Sequence, residues 1–162
     1  MRAQPRAFLL PFVAFALSAC QPATDRTEDD IAAIRALTSA YSAAIEVGDT
    51  AALLALRTDD IVQYPPGGQR TRGKKAIEDF YTGLFEHASV TVGWPEEAEE
   101  IVVANGWAFQ ISAFNLTINP KDGGDASVMT GDIIILCERQ PDGSWLWAHE
   151  IWNFDSPPPG TG

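Results

Sequence analysis

The spacing of apolar residues predicts helices in the first half of the chain and strands in the second. Five apolar residues recur every three or four positions, the repeat of one helix face: Ile31, Ile34, Leu37, Tyr41 and Ile45. A Thr27-Glu28-Asp29-Asp30 segment resembles a capping box at the start of this helix. Gly48 is expected to end it as a C′ residue, and Asp49 or Thr50 to cap a second, short helix over 51–57.

A strand and a third helix complete the predicted first half. Residues 61–64 (Ile-Val-Gln-Tyr) have strand character, and a Pro-Pro-Gly-Gly turn ends them. Asp59 and Asp60 before this strand are interpreted as a solvated pair that ends the second helix. Gly73 precedes the third helix, whose apolar stripe consists of Ile77, Phe80, Tyr81 and Leu84.

Turn residues divide the second half into five strands. Asn105-Gly106 between two apolar runs is a strong hairpin signal. Two further Asp-Gly segments, at 121–125 and 141–144, mark further turns. The strands bounded in this way are 89–94, 99–104, 107–118, 127–139 and 144–154.

The patterning inside these strands predicts the shape and use of the sheet. In the strand 107–118 the apolar residues begin on odd positions and end on even ones, which favours a bulge and hence a bent sheet. Residues 133–137 are apolar on both faces, whereas a sheet with one solvated face would alternate. The outer face is therefore expected to be covered, most simply by a second copy of the chain in a homodimer. Coverage by the C-terminal tail is the alternative.

Together these elements predict an α+β fold. A cone-shaped, curved antiparallel sheet is expected to pack on three N-terminal helices and to enclose a pocket. The predicted organisation is a signal peptide over 1–19, a polar tether over 20–27, one domain over 28–155 and a disordered tail over 156–162.

The N-terminal residues predict export and lipid attachment. Arg2 and Arg6 precede a ten-residue apolar segment, which is too short to cross a membrane and is typical of a signal peptide. Leu17-Ser18-Ala19-Cys20 follows and resembles a bacterial lipobox, in which Cys20 is lipidated. Gln21 after the cysteine resembles lipoproteins sent to the outer membrane. The expected location is therefore the periplasmic side of a membrane, with an acyl anchor at Cys20.

Charge and cysteine count exclude several functional classes. The 162-residue chain has a formal net charge of −11, which argues against binding to nucleic acid and against charge-driven adhesion to anionic lipid. If Cys20 carries lipid, the other cysteine, Cys137, has no disulfide partner and is interpreted as a buried apolar residue. No spacing of histidines or thiols matches a metal site, and no cofactor motif is present, so neither is expected.

The order of these motifs resembles the nuclear transport factor 2-like (NTF2-like) superfamily, in its polyketide-cyclase-like (SnoaL-like) and ketosteroid-isomerase-like branches. The resemblance covers about residues 28–154 and rests on these segments: Tyr41 through Gly48-Asp49, Asp59-Asp60-Ile61-Val62, Pro66-Gly67, Gly73 with Ala76-Ile77-Phe80-Tyr81, and Asp142-Gly143-Ser144-Trp145 with His149 and Trp152. It implies a cone with an apolar pocket and frequent dimerisation through the sheet. Fold alone does not determine function in such superfamilies.

The resemblance to ketosteroid isomerases implies candidate catalytic residues. Tyr41 matches the family's oxyanion donor, and Asp132 roughly matches its protonated acidic partner. The position of the general base holds Tyr64, and a neutral tyrosine is a poor proton acceptor, which argues against the ketosteroid isomerase reaction. His149 is the best replacement base, although a hydrogen-bonded core histidine is the favoured interpretation. Glu150 is predicted to face the opposite side, as a surface or interface group.

Four aromatic residues are expected to line the pocket: Tyr64, Phe80, Trp107 and Trp152. The leading hypothesis is a lipid-anchored domain that binds a small apolar molecule. The first alternative is an isomerase-like or cyclase-like enzyme that transfers a proton on a carbonyl ligand, which requires Tyr41, Asp132 and His149 to converge. The second alternative is an envelope protein-interaction module whose sheet face binds another protein.

Overall fold

The computed structural model describes residues 23–156, in which three helices lie against one curved sheet. The helices are α1 (Ala23–Val47), α2 (Thr50–Ala55) and α3 (Lys74–His87). Seven strands form the sheet: β1 (Arg57–Tyr64), β2 (Thr71–Arg72), β3 (Ala88–Gly93), β4 (Glu100–Ala104), β5 (Trp107–Pro120), β6 (Ser127–Arg139) and β7 (Trp145–Phe154). A 3₁₀ turn over Glu96–Ala98 joins β3 to β4. The predicted α+β class with three helices is confirmed.

The sheet is mixed and does not close into a barrel. Its strand order is β2-β1-β7-β6-β5-β3, and β4 also pairs with β5. The pair β1 and β7 is parallel, whereas the other pairs are antiparallel. The expectation of a wholly antiparallel sheet was wrong at this one pair. The pair matters for the site, because it places the first and the last strand of the sheet side by side.

The helix ends follow local capping chemistry. Gly48 adopts a positive φ of 70°, and the amide of Asp49 donates to the carbonyl of Ala44 over 2.9 Å, so α1 ends in a left-handed C′ residue as predicted. The side chain of Asp49 then accepts from the amide of Ala52 and caps α2. Because α2 ends at Ala55, Asp59 and Asp60 lie in β1 and do not end a helix, although both are exposed as expected.

The start of α1 differs from the prediction. The helix begins at Ala23 instead of after Thr27, since no proline or glycine interrupts residues 23–27. The expected capping-box residue Asp30 is instead buried and accepts hydrogen bonds from Arg139 and from the indole nitrogen of Trp145. It therefore ties the first helix to the last two strands.

The bulge that was expected in β5 is absent. Residues 107–118 pair continuously with β6, without a register shift. The first inward-facing residues of β5 are Ala108, Gln110 and Ser112. Small and polar side chains therefore occupy inward positions where apolar residues were expected. Gln110 is buried because its amide exchanges hydrogen bonds with the hydroxyl of Thr38 in α1, over 3.0 and 3.1 Å. The odd-numbered apolar residues of this strand consequently face outward.

Register shifts occur in β7 and β1 instead. Cys137 pairs with Trp147 while Leu136 pairs with His149, so Ala148 is an extra residue in β7. A bulge of this kind reverses which side chains face inward on either side of it. Trp145 and Trp147 therefore point into the core before the bulge, and Ala148 and Glu150 do so after it.

The outer face of the sheet carries an apolar patch. Five residues on neighbouring strands are 41–51% exposed there: Val102, Phe109, Ile111, Ile134 and Ile151. Strand pairing places Val102 beside Phe109, Ile111 beside Ile134, and Ile134 beside Ile151. A patch of this continuity on an exposed surface is typical of an interaction site. We refer to these five residues as the outer patch.

The predicted signal peptide, the lipobox and most of the predicted tail lie outside residues 23–156. Within those residues, we find no helix whose length and apolar character would let it span a bilayer. Cys137 is fully buried in β6, and burial raises the pKa of its thiol to about 12. It is therefore a structural residue, as the sequence indicated.

Candidate functional site

A cavity of about 390 Å³ lies between the helices and the inner face of the sheet. Its lining is mostly apolar and comes from α1, α3, the Pro65–Pro66 turn and five strands: Tyr41, Ile45, Gln63, Pro65, Pro66, Phe80, Tyr81, Leu84, Val90, Val92, Trp94, Phe114, Leu116, Ile118, Met129, Ile133, Glu150, Trp152 and Phe154. Phe80 is 53% exposed although it lines the cavity, so it lies where the cavity meets solvent. The volume suits a small organic molecule.

Four polar side chains are gathered on one part of this wall. Glu150 is only 3% exposed, and its Oε2 accepts a hydrogen bond from Nε2 of Gln63 over 3.0 Å. Gln63 and Glu150 are neighbours because β1 and β7 are paired in parallel at this point. The hydroxyls of Tyr41 and Tyr81 lie 3.3 Å from each other and complete the group. We call these four residues the polar cluster.

Arg57 supports the polar cluster from behind and does not line the cavity. Its side chain is fully buried, and Nε donates to Oε1 of Glu150 over 2.7 Å. Its two remaining nitrogens donate to the carbonyl of Leu53 and, over 3.2 Å, to the hydroxyl of Tyr81. Burial disfavours the charge of this guanidinium and is the largest single influence, but the Glu150 carboxylate and the two tyrosine hydroxyls together more than offset it, so the pKa of Arg57 is raised. Arg57 is thus charged and pairs with the Glu150 carboxylate.

Aromatic rings enclose the guanidinium. The centroids of the Tyr41 and Tyr81 rings both lie 5.4 Å from Cζ of Arg57, and that of Trp147 lies 5.2 Å from it. Cation–π contacts of this kind are stronger where water is excluded. They hold Arg57 in one orientation, which in turn fixes the carboxylate of Glu150.

The two tyrosines of the polar cluster remain protonated at neutral pH. Burial raises the pKa of Tyr41 well above the usual tyrosine value, and the nearby Tyr81 adds to this effect. Burial also raises the pKa of Tyr81, and the charge of Arg57 only partly opposes it. Tyr81 accepts from Arg57, and either tyrosine hydroxyl can donate to the other. When Tyr81 donates to Tyr41, the Tyr41 hydroxyl can donate to a molecule in the cavity.

Three of the predicted site residues line the cavity, and the others lie elsewhere. Tyr41, Phe80 and Trp152 are part of the lining. Tyr64 and Trp107 are each 37% exposed and do not contribute to it, because both point to the outer face. Asp132 is exposed on the same outer face, between the inward-facing Gly131 and Ile133. The predicted convergence of Tyr41, Asp132 and His149 is therefore not observed.

His149 and Glu150 exchange the positions that the sequence predicted for them. The bulge at Ala148 turns Glu150 into the cavity and His149 away from it. The imidazole stacks instead against the ring of Tyr64, with 6.4 Å between ring centroids. The interpretation of Glu150 as a surface group was wrong, since it assumed an unbroken alternation from Trp145 onward.

Sequence reasoning missed Arg57, Gln63 and Glu150. Arg57 was placed at a helix end and Gln63 in a strand without a role. The available signal was the adjacent pair His149 and Glu150 in a strand rich in tryptophan, where one bulge decides which residue faces inward. Among the described residues, no group of three or more histidine, cysteine or carboxylate side chains could hold a metal ion.

Comparison with known proteins agrees with this architecture. A ketosteroid isomerase-like protein from Erwinia carotovora atroseptica is 28% identical, with a TM-score of 0.68 over 80% of this chain and 98% of that one. A Novosphingobium aromaticivorans protein with the provisional name scytalone dehydratase is 16% identical, with a TM-score of 0.74 over 82% and 89%. An NTF2-like superfamily protein from Salmonella enterica is 19% identical, with a TM-score of 0.68 over 86% and 97%.

The comparison with curated proteins finds no match. The family model of the SnoaL-like domain matches residues 38–152, a range that contains every member of the polar cluster as well as Arg57. The match also covers all of β1 and most of β7, the two strands whose pairing places Gln63 beside Glu150. The chain therefore belongs to the SnoaL-like domain family, and it shares its fold with NTF2-like proteins.

Proposed function

We propose that this domain binds a small, largely apolar molecule in its cavity. The observation that carries the proposal is an apolar cavity of about 390 Å³ with a single polar cluster on its wall. Apolar walls supply most of the binding free energy, and a few polar groups orient the ligand. Trp152 and Trp94 extend the apolar surface.

We further propose that the domain lies outside the cytoplasm and is attached to a membrane by a lipid anchor at Cys20. We also propose that it forms a homodimer. The lipobox-like segment supports the anchor. The outer patch supports the dimer, since burial of its apolar residues against a second copy would be favourable.

Native mass spectrometry of the soluble form that begins after Cys20, purified without detergent, tests binding. We expect a dimer that carries an additional small mass. Val92→Trp, which fills the cavity, should remove that mass, whereas Val47→Trp on the exposed end of α1 should retain it. Absence of any bound mass, together with no binding of added apolar probes, would contradict the proposal.

A second candidate function is proton transfer on a carbonyl compound. It is favoured by the carboxylate of Glu150, which lies in the same cluster as the protonated hydroxyls of Tyr41 and Tyr81. Glu150 would take a proton from the carbon next to the carbonyl, the C–H electron pair would form a carbon–carbon double bond, and the π electrons of the carbonyl would move to its oxygen. The Tyr41 hydroxyl would donate to that enolate oxygen. The isomerase-like name of the Erwinia neighbour agrees with this chemistry.

Deuterium exchange at carbon 2 of 1-tetralone, a bicyclic ketone, tests the second candidate. Incorporation from D₂O, followed by mass spectrometry, should be accelerated by the native protein and lost in Glu150→Gln. His149→Gln is the matched control, because His149 faces away from the cavity. Equal loss in both variants, or no acceleration by the native protein, would contradict proton transfer by Glu150.

A further inference from the structure

In the part of the chain that the structure describes, the wall of the cavity carries negative charge and no accessible positive charge. Among the described residues that line it, Glu150 is the only one with a charged side chain, and lysine, arginine and histidine are absent. The nearest cation, Arg57, is fully buried behind Tyr41, Tyr81 and Trp147. An anionic ligand would therefore meet a carboxylate and no accessible cation.

The polar cluster offers mainly hydrogen-bond acceptors to the cavity. A carboxylate has about four acceptor positions, and the hydrogen bonds of Glu150 to Arg57 and Gln63 use one on each oxygen. Within residues 23–156, no donor is bound to Oε1 of Gln63, which also lines the cavity. Tyr41 adds one hydroxyl that can donate. A ligand group that both donates and accepts would satisfy this arrangement.

Three kinds of ligand head group can be compared on this basis. A carboxylate would be repelled by Glu150 and would lose its hydration in an apolar cavity. An ammonium group would also lose its hydration, and the charge of Glu150 is already balanced by Arg57 at 2.7 Å. A neutral hydroxyl can donate to Glu150 and accept from Tyr41 without the transfer of a net charge.

We infer that the cavity selects neutral ligands that carry a hydroxyl on an apolar body, and that it excludes carboxylates. This inference rests on the proposed binding function and specifies its ligand class. It assigns the recognition of the ligand hydroxyl to Glu150 and Tyr41. Arg57 acts as a positioning residue, since it contacts Glu150 and does not line the cavity.

Isothermal titration calorimetry of the native protein at pH 7 with four probes that share one compact apolar body tests the inference. The probes are 1-adamantanol, 1-methoxyadamantane, 1-adamantanecarboxylate and 1-adamantylammonium. We expect 1-adamantanol to bind roughly ten- to a hundredfold more tightly than the ether, which cannot donate, because a hydrogen bond to a charged acceptor is lost. The carboxylate should be the weakest ligand.

Two variants separate recognition of the hydroxyl from binding of the apolar body. In Glu150→Gln the preference for the alcohol over the carboxylate should shrink by at least tenfold, because the charge of Arg57 is left unopposed. In Tyr41→Phe affinity for the alcohol and for the ether should both fall, because either oxygen can accept from the Tyr41 hydroxyl, while the preference for the alcohol over the ether, which depends on donation to Glu150, should change little. His149→Gln on the outer face is the control for both. If Glu150→Gln does not fold, the affinities of the four probes for the native protein and for Tyr41→Phe still test whether the cavity selects a neutral hydroxyl.

The outcomes distinguish this inference from the proposed function. If the alcohol, the ether and the carboxylate bind equally, the cavity is a ligand site but the inference is overturned. Tighter binding of the ammonium than of the alcohol also overturns it. If no probe binds and no molecule is carried through purification, the proposed function fails and the inference fails with it.

Discussion

Arg57 and Glu150 form a buried ion pair, in which Nε of Arg57 donates to Oε1 of Glu150 over 2.7 Å. The two residues are 93 positions apart, at the start of β1 and in the middle of β7. The pair therefore joins the first and last long strands of the sheet beneath the cavity. It also prevents Glu150 from being an isolated charge in an apolar environment.

Removal of one member of this pair should cost much more stability than removal of both. Arg57→Met leaves Glu150 buried and uncompensated, and we expect a loss of about 3–5 kcal/mol in the free energy of unfolding. The double variant with Glu150→Met should recover a large part of that loss, since buried pairs can be replaced by apolar residues of similar volume at low cost. Urea denaturation of the single and double variants measures the difference.

Lys75→Met, which breaks an exposed pair with Asp79 on α3, is the control and should leave the urea midpoint unchanged. A double variant that is as unstable as the sum of its single changes would show that the pair contributes no mutual stabilisation.

Stability should fall at alkaline pH because of Tyr41 and Tyr81. Burial raises the pKa of both hydroxyls in the folded protein, so the folded chain keeps these protons while the unfolded chain releases them above about pH 10. Their contribution is complete below the unfolded-state pKa and is lost as pH rises towards the folded-state pKa. Unfolding free energies measured from pH 8 to 11 should therefore decrease.

The double variant Tyr41→Phe, Tyr81→Phe should show a shallower decrease over the same range. Cys137, whose thiol pKa is raised to about 12, is present in both proteins and does not affect the comparison. An identical pH dependence in the two proteins would contradict the assignment to these tyrosines.

The fold could be predicted from sequence because its signals are local. The helical spacing up to Ile45, the left-handed Gly48 and the Asn105-Gly106 hairpin each depend on residues close in the chain. Both hairpin residues have positive φ, 53° and 81°, as such a turn requires. Strand β6 spans residues 127–139, as the apolar pattern predicted.

The site was harder to predict because it depends on contacts between distant strands. Whether His149 or Glu150 faces the cavity is decided by the register of β7 against β6, where Ala148 is the extra residue. The inward position of Gln110 depends on Thr38 in α1, 72 residues away. The alternation of apolar and polar residues within one strand contains no information on either relationship. Assigning faces from odd and even positions alone therefore placed the wrong residues in the cavity.

The outer patch leads to a prediction about assembly. Ile134 lies at its centre, paired with Ile111 on one side and with Ile151 on the other. Ile134→Glu should place a charge in the dimer interface and convert the proposed dimer to a monomer, which light scattering after size exclusion would detect. Val47→Glu, a substitution of a 77% exposed residue on α1, should leave the mass unchanged. A native protein that is monomeric at all concentrations would contradict the assignment of the patch.

Two glycines should respond in opposite ways to alanine. Gly131 lies in β6 against β7, and a Cβ there would collide with the backbone carbonyl of Asn153 and approach Cζ of Phe114 to 2.9 Å. Gly131→Ala should therefore lower the free energy of unfolding by about 1–3 kcal/mol, since the strands must separate. Gly83 lies in α3 with no atom near its missing Cβ, so Gly83→Ala should stabilise the protein by about 0.5–1 kcal/mol. Thermal unfolding of both variants provides the measurement.

Because Phe114 lines the cavity, Gly131→Ala should also weaken ligand binding, whereas Gly83→Ala should not. Equal stability of the two variants would show that the close approach of β6 and β7 at Gly131 relaxes without cost.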